Sequence, residues 1–223
     1  EYLSRRSEFV GNLEGKPDAG VLVSLDNGAT WQTSRNATNP TDPQLLIPID
    51  TFGNPFRNVS PFSDIITIAA KEGLVLIGTA SGLYYSTDRL ATVDTIADIP
   101  FLNESLIFDI EFAGTEGNER IFVSAHAEST NPDDRIYVAD FEGGSAPTFT
   151  ELVDERLFGT SGFLGAVATT RLEVAVAPSN PNIVYLGAAN SSGLLGVFRT
   201  DLSTPGEWTR VAERGSAAFA PLG

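Results

Sequence analysis

The sequence predicts an all-β chain: a β-propeller of four-stranded antiparallel blades, with about four blades present as part of a larger six- to eight-bladed propeller. No segment keeps apolar residues at helical spacing, whereas short β-branched and aromatic runs alternate with Gly, Pro, Asn and Asp. Equivalent third strands, centred on Leu22, Tyr84, Tyr137 and Phe198, recur about every 50 to 60 residues. A four-stranded unit that repeats at about this spacing is typical of a propeller.

The strand runs divide the chain into four blades. The predicted blades cover residues 9–60, 61–103, 104–155 and 168–213, and residues 214–223 begin a further blade or supply a closing strand. The clearest predicted strands are the following runs: 65–69, 74–78 and 82–86 in the second blade; 107–112, 120–124 and 135–139 in the third; 172–176, 183–187 and 195–199 in the fourth.

Composition excludes several classes of function. The net charge of −15 argues against nucleic acid or anionic lipid as a partner, because both require a basic surface. No apolar run approaches the length of a membrane span, so no membrane insertion is expected. The chain has no Cys, which excludes disulfides and thiol chemistry and fits an exported bacterial protein at the cell surface or outside the cell.

One eight-residue motif, at residues 24–31, predicts a tight hairpin. Its specified positions are Ser24, Asp26, Gly28, Thr30 and Trp31. The Asp carboxylate can accept N–H bonds across the turn, Gly28 permits a left-handed backbone, and Trp31 anchors the hairpin to its blade. A partial copy keeps Ser86, Asp88 and Thr92 but has Leu90 and Val93 in the Gly and Trp positions.

Together with the stretch from Val176 to Gly187, these motifs resemble the Asp-box (BNR) repeat superfamily, in particular sortilin-like propellers and xyloglucan-degrading enzymes. The resemblance covers most of residues 20–211. It implies a structural role for the motif on outer hairpins. It does not choose between enzymes, sorting receptors and bacterial surface proteins, since all of them carry the motif.

The candidate catalytic residues are three acids on the first strands of two blades, Asp109, Glu111 and Glu173. Alternation with apolar neighbours places Asp109 and Glu111 on one strand face, and a glycosidase needs two such carboxylates. The simpler interpretation is that they face solvent in the channel of an acidic protein. The only histidine, His126, is expected in a polar loop, and residues 131–134 are expected to form a polar turn without a calcium framework.

The leading hypothesis is therefore a non-catalytic extracellular or cell-surface propeller that binds a protein partner or a polysaccharide, or serves as an assembly scaffold, within a longer chain or assembly. The alternative is a carbohydrate-active enzyme of glycoside hydrolase type that uses the three acids. A second alternative is a structural subunit of a surface filament or secretion apparatus. No metal or cofactor is predicted, and no spacing of Arg57, Arg120 and Arg171 favours a carboxylate-binding triad.

Overall fold

The computed structural model of the 223-residue chain describes residues 2–5, 20–23, 32–33, 65–80, 82–90, 92–96, 99, 102, 105–115, 117–127, 133–152, 164, 169–177, 180–204 and 207–213. Two compact units account for the chain. The first comprises residues 1–107 and 142–147, and the second comprises residues 108–141 and 148–223.

Within the described residues, the secondary structure consists of fifteen strands and no α-helix. None of the described residues forms a helix long and apolar enough to cross a membrane. The strands are β1 Tyr2–Arg5, β2 Gly20–Val23, β3 Gln32–Thr33, β4 Ile65–Lys71, β5 Leu74–Thr79, β6 Gly82–Ser86, β7 Asp94–Thr95, β8 Leu106–Thr115, β9 Asn118–Ala127, β10 Asp133–Asp140, β11 Thr150–Glu151, β12 Arg171–Val176, β13 Ile183–Asn190, β14 Gly193–Asp201 and β15 Trp208–Glu213.

The strands form sheets in which each strand pairs with the next along the chain. Strands β4 to β7, β8 to β11 and β12 to β15 each make a four-stranded sheet in sequential order, and β1 to β3 make a three-stranded sheet. The recorded pairings are antiparallel, as expected for strands joined by short turns. The predicted fold class, all-β with four-stranded antiparallel blades, is confirmed. Strand β1 precedes residue 9, where the first blade was predicted to begin, and the division into blades stays a prediction.

The second unit owes its core to period-two alternation. In β12 the odd-numbered side chains are exposed, while Leu172, Val174 and Val176 are buried. They pack with side chains from both sheets of this unit, among them Phe122 of β9 and Phe198 of β14. An antiparallel sheet with one buried face requires this pattern, because successive side chains point to opposite faces.

Among the strands of the first unit whose side-chain burial the structure describes, β5 is the most deeply buried. All six residues from Leu74 to Thr79 are buried, which is why this strand is a continuous apolar run in the sequence. Val75 and Ile77 pack with Tyr84 of β6 and with Leu90 and Val93 of the turn that follows β6. This turn carries the partial copy of the eight-residue motif, whose complete copy lies outside the described residues.

The turn after β6 is held by three polar side chains. The Ser86 hydroxyl donates to Asp88 Oδ1 at 2.8 Å and accepts the Leu90 N–H at 2.8 Å. The Asp88 carboxylate also accepts the Thr92 N–H at 2.9 Å and the Thr92 hydroxyl at 2.6 Å. These contacts satisfy backbone donors that the tight turn leaves without strand partners.

Leu90 shows how the turn forms without glycine. Its φ of 66° and the φ of 60° at Arg89 lie in the left-handed region, which costs a non-glycine residue about 1–2 kcal/mol. The Leu90 side chain is buried with Val93, and burying a leucine contributes about 1.5–3 kcal/mol. Apolar packing therefore offsets the conformational cost at this position.

Replacing Asp88 by Ala is expected to lower the free energy of unfolding by about 1–2 kcal/mol, because the Thr92 N–H and hydroxyl and the Ser86 hydroxyl lose their shared acceptor. Urea unfolding measures the difference. The control is Thr87→Ala, which alters the neighbouring exposed residue and should stay within about 0.5 kcal/mol of the unaltered protein. Equal effects of the two substitutions would mean that the carboxylate does not hold the turn.

Candidate functional site

The candidate acids lie on β8 and β12, the first strands of the two sheets in the second unit. Asp109 links the two strands, since its Oδ2 accepts the N–H of Val174 at 2.9 Å. Its Oδ1 accepts the N–H of Ile110, also at 2.9 Å. Because β12 is an edge strand, the Val174 N–H would otherwise lack a partner within its own sheet. The carboxylate thereby fixes β8 against β12 at the level of the acids.

Burial and mutual repulsion act on the carboxyl groups of β8. Loss of hydration raises the pKa of Glu111, and the nearby charge of Asp109 raises it further. Burial also raises the pKa of Asp109; the bonds from Val174 and Ile110 oppose this shift, and the charge of Glu173 reinforces it. The structure thus brings all three predicted acids into one electrostatic cluster, which we call the acidic cluster.

Glu173 has a different environment from the other two acids. Its Oε1 accepts a hydrogen bond of 2.5 Å from Arg171 Nε, and the two side chains remain 48% and 70% exposed. Both residues stand on the exposed face of β12, two positions apart. The Glu173 carboxylate is thus paired with a guanidinium and remains open to solvent. The period-two pattern of β12 could have indicated Arg171 as a partner of Glu173.

Unfolding at different pH values tests the electrostatics of this cluster. Since the folded pKa of Glu111 exceeds its ordinary value of 4.5, its contribution to stability is complete below pH 4.5 and is lost as the pH rises through the folded pKa. Glu111→Gln should therefore gain stability relative to the unaltered protein between pH 4.5 and neutral pH. Urea titrations across this range measure the trend, and Glu142→Gln, which alters an exposed carboxylate, should follow the unaltered protein. If the difference in free energy of unfolding between Glu111→Gln and the unaltered protein stays constant across this range, the raised pKa of Glu111 is contradicted.

The structure corrects two expectations about polar residues in this unit. His126 does not lie in a loop: it belongs to β9, opposite Asp134 of β10, and its Nδ1 lies 2.7 Å from Asp134 Oδ1. Asp134 does not lie in a polar turn; it is a buried strand residue that also accepts the Thr169 hydroxyl. Both strands extend further than their polar ends suggest, because these side chains satisfy one another.

Two further predictions from the sequence concern a metal ion and the eight-residue motif. Among the described residues, no group of three or more His, Asp or Glu side chains is arranged to hold a metal ion. Of the motif residues, Ser86, Asp88 and Thr92 form the turn already described, which belongs to the first unit, whereas the three acids belong to the second. Ser24, Asp26, Gly28, Thr30 and Trp31 lie outside the described residues.

Comparison with known proteins identifies the fold. No protein-family profile matches the sequence, and no curated protein sequence is similar to it. Among solved structures, the chain is similar to an ancestral GH74 enzyme, with a TM-score of 0.53 and 19% identity over 86% of this chain. The chain spans only 21% of the length of that enzyme.

Two fungal enzymes are more distant structural neighbours. The α-L-arabinanase of Penicillium chrysogenum has a TM-score of 0.35 and 11% identity, and the match covers 86% of this chain and 58% of that one. The GH93 α-L-arabinofuranosidase of Fusarium graminearum has a TM-score of 0.36 and 10% identity, with 87% and 57% covered. Both were solved with arabinobiose.

The likeness to the GH74 enzyme shows that the fold of this chain is of the β-propeller type. It also corrects the leading hypothesis from the sequence. The interpretation as a non-catalytic binding scaffold is wrong, since the solved structure that the chain resembles is that of a GH74 enzyme.

Proposed function

We propose that this chain forms part of a carbohydrate-active enzyme of glycoside hydrolase type, with the acidic cluster as its catalytic site. The observation that carries the proposal is the contrast between two carboxyl groups within one cluster. Glu111 is half-buried with a raised pKa, whereas Glu173 is paired with a guanidinium. Glycosidases use two carboxyl groups in different environments, one as the general acid and the other as the nucleophile or base.

The environments of the three acids assign a role to each. Glu111 has no hydrogen-bond partner among the described residues, so its proton is available to the glycosidic oxygen of a bound sugar as general acid. Glu173, which accepts a hydrogen bond from Arg171, acts as the nucleophile or as the base that activates water. Asp109 is a positioning residue, because backbone N–H groups occupy both of its oxygens while its charge raises the pKa of Glu111.

The proposal extends to family, partner and location. The hydrogen bonds of Ser86, Asp88 and Thr92 support membership of the Asp-box (BNR) superfamily. A polysaccharide is then the expected partner, and a net charge of −15 suits a neutral polymer better than an anionic one. Polysaccharides that are too large to enter the cell are degraded outside it, which accords with an exported bacterial protein.

The test is hydrolysis of a polysaccharide panel, including xyloglucan, arabinan and mixed-linkage glucan, by the natural full-length protein. We expect new reducing ends from at least one polymer. Glu173→Gln should lower kcat at least about 100-fold on that polymer. The matched control, Glu142→Gln, also neutralises a carboxylate and should keep its activity. Absence of hydrolysis across the panel, or full activity of Glu173→Gln, would refute the proposed site.

A further inference from the structure

Glu173 has an aromatic neighbour on the exposed face of its sheet. The strand register pairs Glu173 of β12 with Gly187 of β13, and it pairs Ala175 with Tyr185. Because side chains alternate between the two faces of a strand, these four residues share one face, on which Glu173, Ala175 and Tyr185 are exposed. Tyr185 is therefore a diagonal neighbour of Glu173, at about 7–8 Å across the two strands, which is within reach of an aromatic side chain.

Gly187 leaves an open space between these two side chains. Among the described residues, a Cβ atom placed on Gly187 would meet a single atom within 4 Å, the carbonyl oxygen of Glu173 at 4.0 Å. On the other side of Gly187, the register places Val197 of β14. The space above Gly187 is thus bounded by Glu173, Tyr185 and Val197, and we call it the Gly187 recess.

Nothing in the described packing requires glycine at position 187. Its φ does not lie in the left-handed region, and the register shift in the β13–β14 pairing falls at Ala188 and Ala189. Gly196 on β14 differs, because a Cβ atom there would come within 3.1 Å of the Ala212 carbonyl oxygen. Glycine weakens the interior of a strand and is used where a ligand or another chain segment approaches closely. The open space at Gly187 therefore indicates such an approach.

Tyr185 supplies a wall of the recess that suits a sugar ring. The residue is 36% exposed, and the residue opposite it on β12 is Ala175, whose methyl group can cover little of the aromatic ring. A pyranose has an apolar face of C–H groups and a rim of hydroxyls, so it can stack on an aromatic side chain. A single exposed tyrosine is common on protein surfaces; this one is distinguished by the carboxylate of Glu173 and the open recess beside it.

We propose that Tyr185 is the stacking platform for a sugar ring of the substrate, which lies in the Gly187 recess beside the bond that is cleaved at Glu173. This inference rests on the proposed function and adds a substrate class to it, a neutral polymer of pyranose rings. Arg199 stands opposite Tyr185 on β14 and has N–H groups that can donate to the hydroxyls of the ring. A furanose ring, such as that of arabinan, offers a smaller and more puckered apolar face to the aromatic side chain.

Filling the recess in the natural full-length protein tests the proposal. Gly187→Val adds a branched side chain of the kind that strands favour, and the open space gives it room. We expect KM for the hydrolysed polymer to rise at least about tenfold, while the urea midpoint stays the same or increases. The matched control is Thr209→Val, which alters an exposed residue on the same sheet face two strands away and should keep KM within about twofold.

Substitutions of Tyr185 separate the role of the aromatic ring from that of its hydroxyl. Tyr185→Phe keeps the ring and should change KM less than about twofold. Tyr185→Thr keeps a residue that suits a strand and should raise KM about five- to tenfold, with kcat changed less than about twofold. Calorimetric titration of Glu173→Gln with a mixed-linkage glucan oligosaccharide measures binding without cleavage. Adding Tyr185→Thr to that variant should raise Kd by the same factor, and an arabinan oligosaccharide should bind more weakly than the glucan.

The outcomes distinguish this inference from the proposed function. If a polymer is hydrolysed but Gly187→Val and Tyr185→Thr keep the KM of the unaltered protein, the subsite is wrong and the acidic cluster stands. A lower urea midpoint for Gly187→Val would mean that another part of the protein fills the recess, and hydrolysis of arabinan alone would contradict the pyranose class; either result overturns the inference. If the glucan oligosaccharide binds in a manner that depends on Tyr185 but no polymer is cleaved, the subsite stands and the catalytic proposal fails. If no sugar binds or is cleaved, both proposals are overturned.

Discussion

Glu111→Gln is expected to reduce kcat for polysaccharide hydrolysis by about 10²- to 10⁴-fold, the usual contribution of a general acid. The amide is close in size to the carboxyl group, and Glu111 makes no hydrogen bond with a described residue, so the fold should be retained. Reducing-end assays at several substrate concentrations give kcat and KM separately. We expect KM to change little, because proton donation operates in the transition state.

The pH profile of the same reaction provides an independent test. Glu111 must carry its proton to act as an acid, so activity should fall as the pH rises through its raised pKa. Asp109→Asn removes the neighbouring charge that raises this pKa, and the alkaline limb should therefore move to lower pH. A substrate with a good leaving group, such as an aryl glycoside, should restore activity to Glu111→Gln. Unchanged activity in Glu111→Gln would exclude it as the acid.

Phe122→Ala is expected to lower the free energy of unfolding by about 3–5 kcal/mol. Phe122 has no exposed surface and lies in the core shared by the two sheets of the second unit, beside Leu172 and Phe198. Removing the ring leaves a cavity that these neighbours can fill only in part, since protein interiors are close-packed. Trp208 belongs to the same core, so its fluorescence in urea reports the transition.

The matched control for this experiment is Val211→Ala on β15. Val211 is 46% exposed, and its truncation should cost less than about 1 kcal/mol. A loss of similar size for Val211 and Phe122 would show that the core does not lie where the structure places it. Unlike Phe122→Ala and Val211→Ala, Glu111→Gln should change the rate of hydrolysis strongly while it changes the free energy of unfolding at acidic pH only slightly.

The local sequence was sufficient to predict the position of most of the strands. The run at 74–78 is buried throughout, and the run at 172–176 is buried at alternate residues. Apolar patterning alone therefore predicts β5 and β12. The same alternation grouped Asp109 with Glu111 on one face of β8, and the burial pattern of β12 shows that Glu173 lies on its exposed face. The apolar pattern is informative in these strands because its spacing stays the same along the whole strand and matches the burial of the side chains.

The polar parts of the site could not be predicted in this way. His126 and Asp134 end their strands in segments that lack apolar residues, and each is satisfied by the other and by Thr169, 35 residues from Asp134. The bond from Val174 to Asp109 likewise joins residues 65 positions apart. Such pairs depend on which sheets lie next to each other, and the composition of either segment carries no information about the other. Arg171 was considered only in an arginine triad, and its pairing with Glu173 two residues away was missed.

The turn from Ser86 to Thr92 has a consequence for finding related repeats. Its serine, aspartate and threonine make the hydrogen bonds, while the usual glycine and tryptophan positions are filled by Leu90 and Val93, which are buried together. The turn therefore depends on the hydrogen bonds of its three polar side chains and on an apolar pair that can pack beside them. A search that weights the polar positions most heavily, and treats glycine and tryptophan as exchangeable for aliphatic residues, would recover blades that a strict consensus overlooks.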